Sequence, residues 1–135
     1  MGAPDKLPLP LVEAVRAIAQ GPLADAADAI DRGSYPRDIM QALGAAGAYS
    51  AHLGPGKAPG GFAQAIRASA AVSQVCGATG FMVWCQQVCG FYLQQAGSPT
   101  LVNELLPLHA TGTRLGGTGM SNPMKAYAGI ETLLL

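Results

Sequence analysis

The sequence predicts a mainly α protein: an up-and-down bundle of about six helices, followed by the first strand or strands of a β domain that the chain does not complete. Three observations carry this. Apolar residues recur at helical spacing through the first 110 residues or so. Glycine and proline punctuate that pattern at the points where helices stop and start. After Thr113 the helical spacing disappears, and "GIETLLL" at the end reads as the beginning of a strand. The expected domains are therefore 1–112, helical, and 113–135, the start of a β domain.

The helices follow in order. Residues 1–10 carry Pro4, Pro8 and Pro10 and read as an extended arm. Leu11, Val15 and Ile18 fall at i, i+4, i+7 and mark one helix face. In "GPLADAADAIDRG", Pro22 suits a first-turn position, Leu23, Ala27 and Ile30 make the stripe, and Gly33 can stop the helix. Ser34 and Pro36 precede a third helix with Ile39, Met40 and Leu43 inward, ended by Gly44 and Gly47. "SAHLGPGKAPGG" holds four glycines and two prolines in twelve residues, which leaves no room for a repeating backbone. A fourth helix is expected over 62–78, with Phe62, Ile66, Ser69, Ser73 and Cys76 on one side. A fifth, over 81–96, is apolar nearly all round and therefore buried. Phe81, Trp84, Cys85, Val88 and Tyr92 fall on one face, with Met82, Val83, Cys89 and Leu93 around it, and Gly97 closes it. Ser98 and Pro99 start a sixth helix that reaches Leu106 and meets Pro107.

Composition excludes several classes of function. Half of the residues are apolar and 12% are charged, which is globular and not disordered. Eight basic residues balance eight acidic ones and form no stripe, so nucleic acid is excluded as a partner. Three cysteines, Cys76, Cys85 and Cys89, lie in one uncharged stretch. An odd number does not make a disulfide framework, and a metal site would want more ligands than two distant histidines add, so no metal is expected. They read as small core side chains in a reducing cytoplasm. The N-terminus has no cationic head leading into an apolar core, so no signal peptide is read there. From Ala68 to Asn103 there is no charge, but Gln74, Gln86, Gln87, Gln94 and Gln95 interrupt it, as do Gly77, Gly80 and Gly90. Two buried soluble helices fit this better than a membrane span.

The segment "RLGGTGMSNP" poses the functional question. Glycine lets a backbone approach a ligand where a side chain would block it. Bare N–H groups with a hydroxyl make a directional edge that suits the pyrimidine end of a flavin, whose reduced form gains charge there. A phosphate loop is disfavoured: no Gly-Lys-Ser/Thr follows, and no strand leads into a helix. A plain turn at a domain junction explains the glycines equally well.

The order of motifs adds to this. "LVNELLPLHATGTRLGGTGMSNP" resembles the junction between the helical N-terminal domain and the middle β domain of acyl-CoA dehydrogenases. In that family a helix ends in Leu-Pro near "LASGE", and a strand then leads to a Thr-Glu-Pro turn. Leu106-Pro107 with "HATGTR" stands in the first place and Ser121-Asn122-Pro123 in the second. "LGAAGAYSAHLGPG" is similar to the family's "elGl…PeeyGG" segment, and "LQQAG" to its "AG" before the last N-terminal helix. The resemblance spans about Tyr35 to Lys125.

By position it implies FAD as cofactor, with backbone groups of Thr118 and Met120 and the hydroxyl of Ser121 at the flavin edge. It implies that Phe81, Trp84, Cys85 and Val88 line the acyl pocket, which Trp84 would make shallow. No catalytic residue is expected in this chain. The family's base is a carboxylate in the C-terminal helical domain, and much of the adenosine and pyrophosphate binding comes from there and from a neighbouring subunit. The implied activity is α,β-dehydrogenation of an acyl thioester, with a homo-oligomeric parent (dimer or tetramer) and an acceptor such as an electron-transfer flavoprotein. The chain departs from the pattern at Asn122, at "MKAYAG" where "GAGSD" is usual, and at Tyr127, where the family's CoA-contacting serine would fall. A flavin-dependent monooxygenase of the same fold and a non-catalytic helical interaction module are the alternatives. His52 and His109 read as loop residues, Lys125 as a solvated surface lysine, and Tyr35, Tyr49, Tyr92 and Tyr127 share no spacing.

Overall fold

The computed structural model describes residues 10–54, 60–119 and 121–132. Helix α1, Pro10–Ile18, runs without a break through a π-helical turn, Ala19–Leu23, into α2, Ala24–Asp31. Then come α3, Arg37–Ala45; α4, Gly61–Ser73; and α5, Gly77–Gln95. A second π-helical turn, Leu101–Leu105, leads into α6, Leu106–Ala110, and the last helix is α7, Ser121–Tyr127.

The two π turns have one cause. Proline lacks the N–H that an α-helix needs, and its ring strikes the carbonyl four residues back. Widening the helix by one residue removes that collision. Pro22 lies inside the first π turn and Pro107 directly follows the second. Ala24 N–H bonds to Ala19 O, and Leu106 N–H to Leu101 O, both five residues back. Proline thus widens these helices instead of ending them, which corrects two expectations. Pro22 does not start a separate helix, and Pro107 does not end the sixth.

The stops are where glycine predicts them. Gly33, Gly47 and Gly97 all take positive φ, at 102°, 91° and 68°, and follow α2, α3 and α5.

Helix α4 packs on α1 and α5, α5 on α6, α6 on α3, and α3 on α1, so these five helices close a ring. Val15, Leu23, Met40, Leu43, Tyr49, Ala68, Val72 and Val83 form the core inside it. The inward face of α4 is Ala65, Ala68, Ala71 and Val72, while Phe62 and Ile66, on the side that the spacing marked, are exposed. Small side chains let the neighbouring helices approach closely, and the large ones are displaced outward. Gly44 on α3 meets Gly112 after α6 at closest range: a Cβ on Gly44 would collide with the Gly112 Cα.

No strand occurs among the described residues. Thr113–Gly119 is irregular, Ser121–Tyr127 is helical where a turn was expected, and Gly129–Glu131 makes a turn and bend. Of "GIETLLL", Leu133–Leu135 lie outside the described residues. No helix among the described residues is long and apolar enough to cross a membrane.

Tyr49 is fully buried, and its hydroxyl donates to Met40 O at 2.6 Å. Burial pushes its pKa up from the ordinary value near 10, and the Tyr35 charge at high pH adds to this. The folded state therefore holds a proton that the unfolded chain releases. Stability from this source is complete below about pH 10 and declines above it. In urea unfolding from pH 8 to 11, the parent chain should lose stability above about pH 10 more steeply than Tyr49→Phe. Parallel profiles would contradict this.

Candidate functional site around helix α5

Helix α5 organises everything that could meet a ligand. Its N-cap is Cys76, whose Sγ accepts from the Thr79 N–H at 3.5 Å and the Thr79 hydroxyl at 3.2 Å. A buried thiol thus does what serine usually does there.

The buried face of α5 is Thr79, Gly80, Val83, Gln86, Gln87 and Gly90. The helix is not buried all round as expected, and its aromatic face is the outer one: Phe81 is 64% exposed and Trp84 43%. Cys85 and Val88 are half-buried, and Tyr92 is exposed. The physical reason lies in the amides. Gln87 Nε2 donates to Ala48 O and Ala65 O, at 3.0 Å each, and its Oε1 accepts from Ser69 Oγ at 3.0 Å. These partners come from α4 and the connection before it, so one side chain ties three segments. Buried amides must be paired, and those carbonyls are available only on the inside.

Gln86 binds the glycine-rich segment. Its Nε2 donates to Gly116 O at 2.7 Å, and its Oε1 accepts from Gly116 N–H at 2.8 Å. A side-chain amide here pairs with a peptide group as a neighbouring strand would. Gly116 is needed at this place: a Cβ would lie 2.6 Å from Cys89 Sγ. Cys89 also accepts from the Gly117 backbone, and burial pushes its thiol pKa up.

Two histidines complete the arrangement. His52 Nε2 donates to Gln87 O at 2.9 Å, and His109 Nε2 to Gln86 O at 2.8 Å. A bond to a carbonyl requires the proton on Nε2 in both rings. Gly90 leaves room for this, because a Cβ there would lie 3.3 Å from His109 Cδ2 and 3.0 Å from Leu53 Cδ1. Both rings are buried, at 6% and 2% exposure; His52 lies in a turn, as expected, whereas His109 stands on α6. The pattern that could have found them is the Gly80, Val83, Gln87, Gly90 stripe, small and polar, opposite the aromatic one.

The expected site residues divide into two groups. Trp84 and Val88 line an open, apolar groove of about 310 Å³ between α4 and α5, with Phe62, Ile66 and Phe91. Phe81 stacks on Trp84, ring centroids 5.6 Å apart, and extends that surface. Cys85 is not in the groove lining. In the glycine-rich segment, Thr118 is half-buried and Ser121 is exposed at the start of α7. Met120 lies outside the described residues. Gly117 and Gly119 have nothing within 4 Å of where a Cβ would stand. Among the described residues no three His, Cys, Asp or Glu gather as a metal site would require.

The family described as acyl-CoA dehydrogenase, N-terminal domain, matches residues 9–113. The chain belongs to this family. No curated protein and no solved structure matches it. The matched span of this acyl-CoA dehydrogenase N-terminal domain covers the helical ring from α1 to α6. It ends at Thr113, one residue before the glycine-rich segment begins.

Proposed function

We propose that this chain forms the N-terminal helical part of an acyl-CoA dehydrogenase-like flavoprotein oxidoreductase, acting in the cytoplasm on an acyl thioester or a related substrate. The observation that carries the reading is the open space beside Gly117 and Gly119, where a Cβ would meet nothing within 4 Å, in a segment held beside α5 by the Gln86–Gly116 pairing. The residues present fit a flavin edge: no side chain at 117 and 119 and nothing beside them, the half-buried Thr118, and the exposed Ser121 hydroxyl. Met120 completes the proposed set. FAD, when bound, accepts a hydride from the substrate β-carbon.

This chain's own residues bind and position. Gln86 and Cys89 hold the upstream end of the segment, so its amides do not reorganise as charge develops nearby. Phe81, Trp84 and Val88 offer an apolar surface for an acyl or ring-shaped group, with Cys85 at its margin. The base that removes the α-proton and the rest of the cofactor site belong to residues beyond these 135, in a homo-oligomeric parent that passes electrons to an acceptor such as an electron-transfer flavoprotein. Tyr127 is 93% exposed, so it is free to meet a different substrate handle where the family has serine.

Co-purification with the polypeptide encoded immediately downstream tests the reading. The complex should carry the visible absorbance of flavin. Nothing stands within 4 Å of a Cβ at position 117, so Gly117→Val should fold normally yet lower flavin content about tenfold. A colourless complex, or unchanged flavin in Gly117→Val, would instead favour a non-catalytic interaction module that uses the exposed Phe62, Ile66, Phe81 and Trp84.

A further inference from the structure

We infer that the cleft between the start of α3 and residues Thr113–Gly116 is an anion site that takes a phosphate group through Arg37 and Arg114. It is a polar concavity of about 340 Å³. Arg37, Tyr35 and Gln41 line one wall, and Arg114 and Thr113 the other. It shares no residue with the α4–α5 groove.

Two cations face one cleft, and none of the described residues that line it is acidic. The single ion pair among the described residues is Lys125 with Glu131, and neither arginine takes part in it. The chain has no net charge to explain a general excess of basic groups, so this is a local concentration. Two guanidinium groups in one concavity repel each other until an anion sits between them. A planar fork of N–H donors matches the oxygens of phosphate in pairs. Gln41, Tyr35 and Thr113 add neutral donors around the rim.

The walls are fixed before any ligand arrives. Gly112 is buried against α3, where a Cβ would lie 2.7 Å from Gln41 O, and Gly44 closes on Gly112 from the other side. Arg114 N–H donates to Leu108 O at 3.0 Å, and Gln86 holds Gly116. Arg37 is the first residue of α3, tied through Arg37 N–H to Tyr35 O at 3.0 Å. Rigid walls spare the ordering entropy that a mobile pair of arginines would lose on binding. The inference needs no flavin and stands whether or not one binds.

Isothermal titration of the 135-residue chain with inorganic phosphate and with AMP, at matched ionic strength, tests it. Both should bind. Tighter binding of AMP identifies a nucleotide phosphate as the source, and equal binding identifies free phosphate. Arg37→Gln and Arg114→Gln are surface changes that leave the fold intact by circular dichroism. Each should weaken binding about tenfold. Arg67→Gln, exposed on α4, should leave it unchanged. The inference is overturned by no binding of either probe, by binding that survives in either cleft variant, or by equal loss in Arg67→Gln. Acetate that binds as tightly as phosphate overturns it too.

Discussion

Gly44→Ala should lower stability by roughly 3 kcal/mol and the melting temperature by about 10 °C. A Cβ at 44 collides with the Gly112 Cα, lies 2.7 Å from the Gly112 N and 2.8 Å from Tyr49 Cε2. Two of those three atoms are backbone and cannot rotate aside. The third belongs to a ring held by its hydroxyl on Met40 O. Relief therefore requires α3 to move from the α6 end, which opens the ring of helices where both walls of the arginine cleft begin. The control is Gly77→Ala at the start of α5, where nothing stands within 4 Å. There alanine should be neutral or stabilise by up to about 1 kcal/mol. Equal melting temperatures for the two variants would rule out the close Gly44–Gly112 contact.

Gln87→Leu should cost roughly 2–4 kcal/mol, although leucine is apolar and near in size. It removes donors from Ala48 O and Ala65 O and an acceptor from Ser69 Oγ, at a buried position. Gln87→Glu should be at least as damaging, since the carboxylate keeps an acceptor for Ser69 but presents oxygen to two carbonyls. Urea unfolding of the three proteins checks this. A leucine variant as stable as the parent would show that greasy burial, and not amide pairing, orients α5.

Much of the fold was legible from local chemistry. Gly33, Gly47 and Gly97 mark helix ends because only glycine takes their positive φ without strain. The inward Met40 and Leu43 of α3 follow from spacing alone. What escaped was set by partners distant in sequence. In α5 apolar side chains occur on every side, so periodicity names no face. Carbonyls of Ala48 and Ala65 and the peptide of Gly116 decide, and none of them leaves a mark within 77–95. In α4 the alanines beat Phe62 and Ile66 for the interior because close approach to α1 and α5 excludes bulk. Pro22 and Pro107 misled because a π turn absorbs a proline that an α turn cannot. Trp84 and Val88, which the family resemblance assigns to an acyl pocket, line the α4–α5 groove; the rule that large apolar residues go inside would have placed them in the core.

The outward aromatics of α5 carry a consequence for how the chain reaches its native state. Early collapse rewards whichever side of a helix sheds the most water, and here that side is Phe81, Trp84 and Val88. The glutamine side gains nothing until its acceptors have assembled. A transient species with this helix rolled over, rings inward and amides stranded, competes with productive docking. Refolding should therefore be slowest at the step that turns Gln86 and Gln87 back toward their carbonyls.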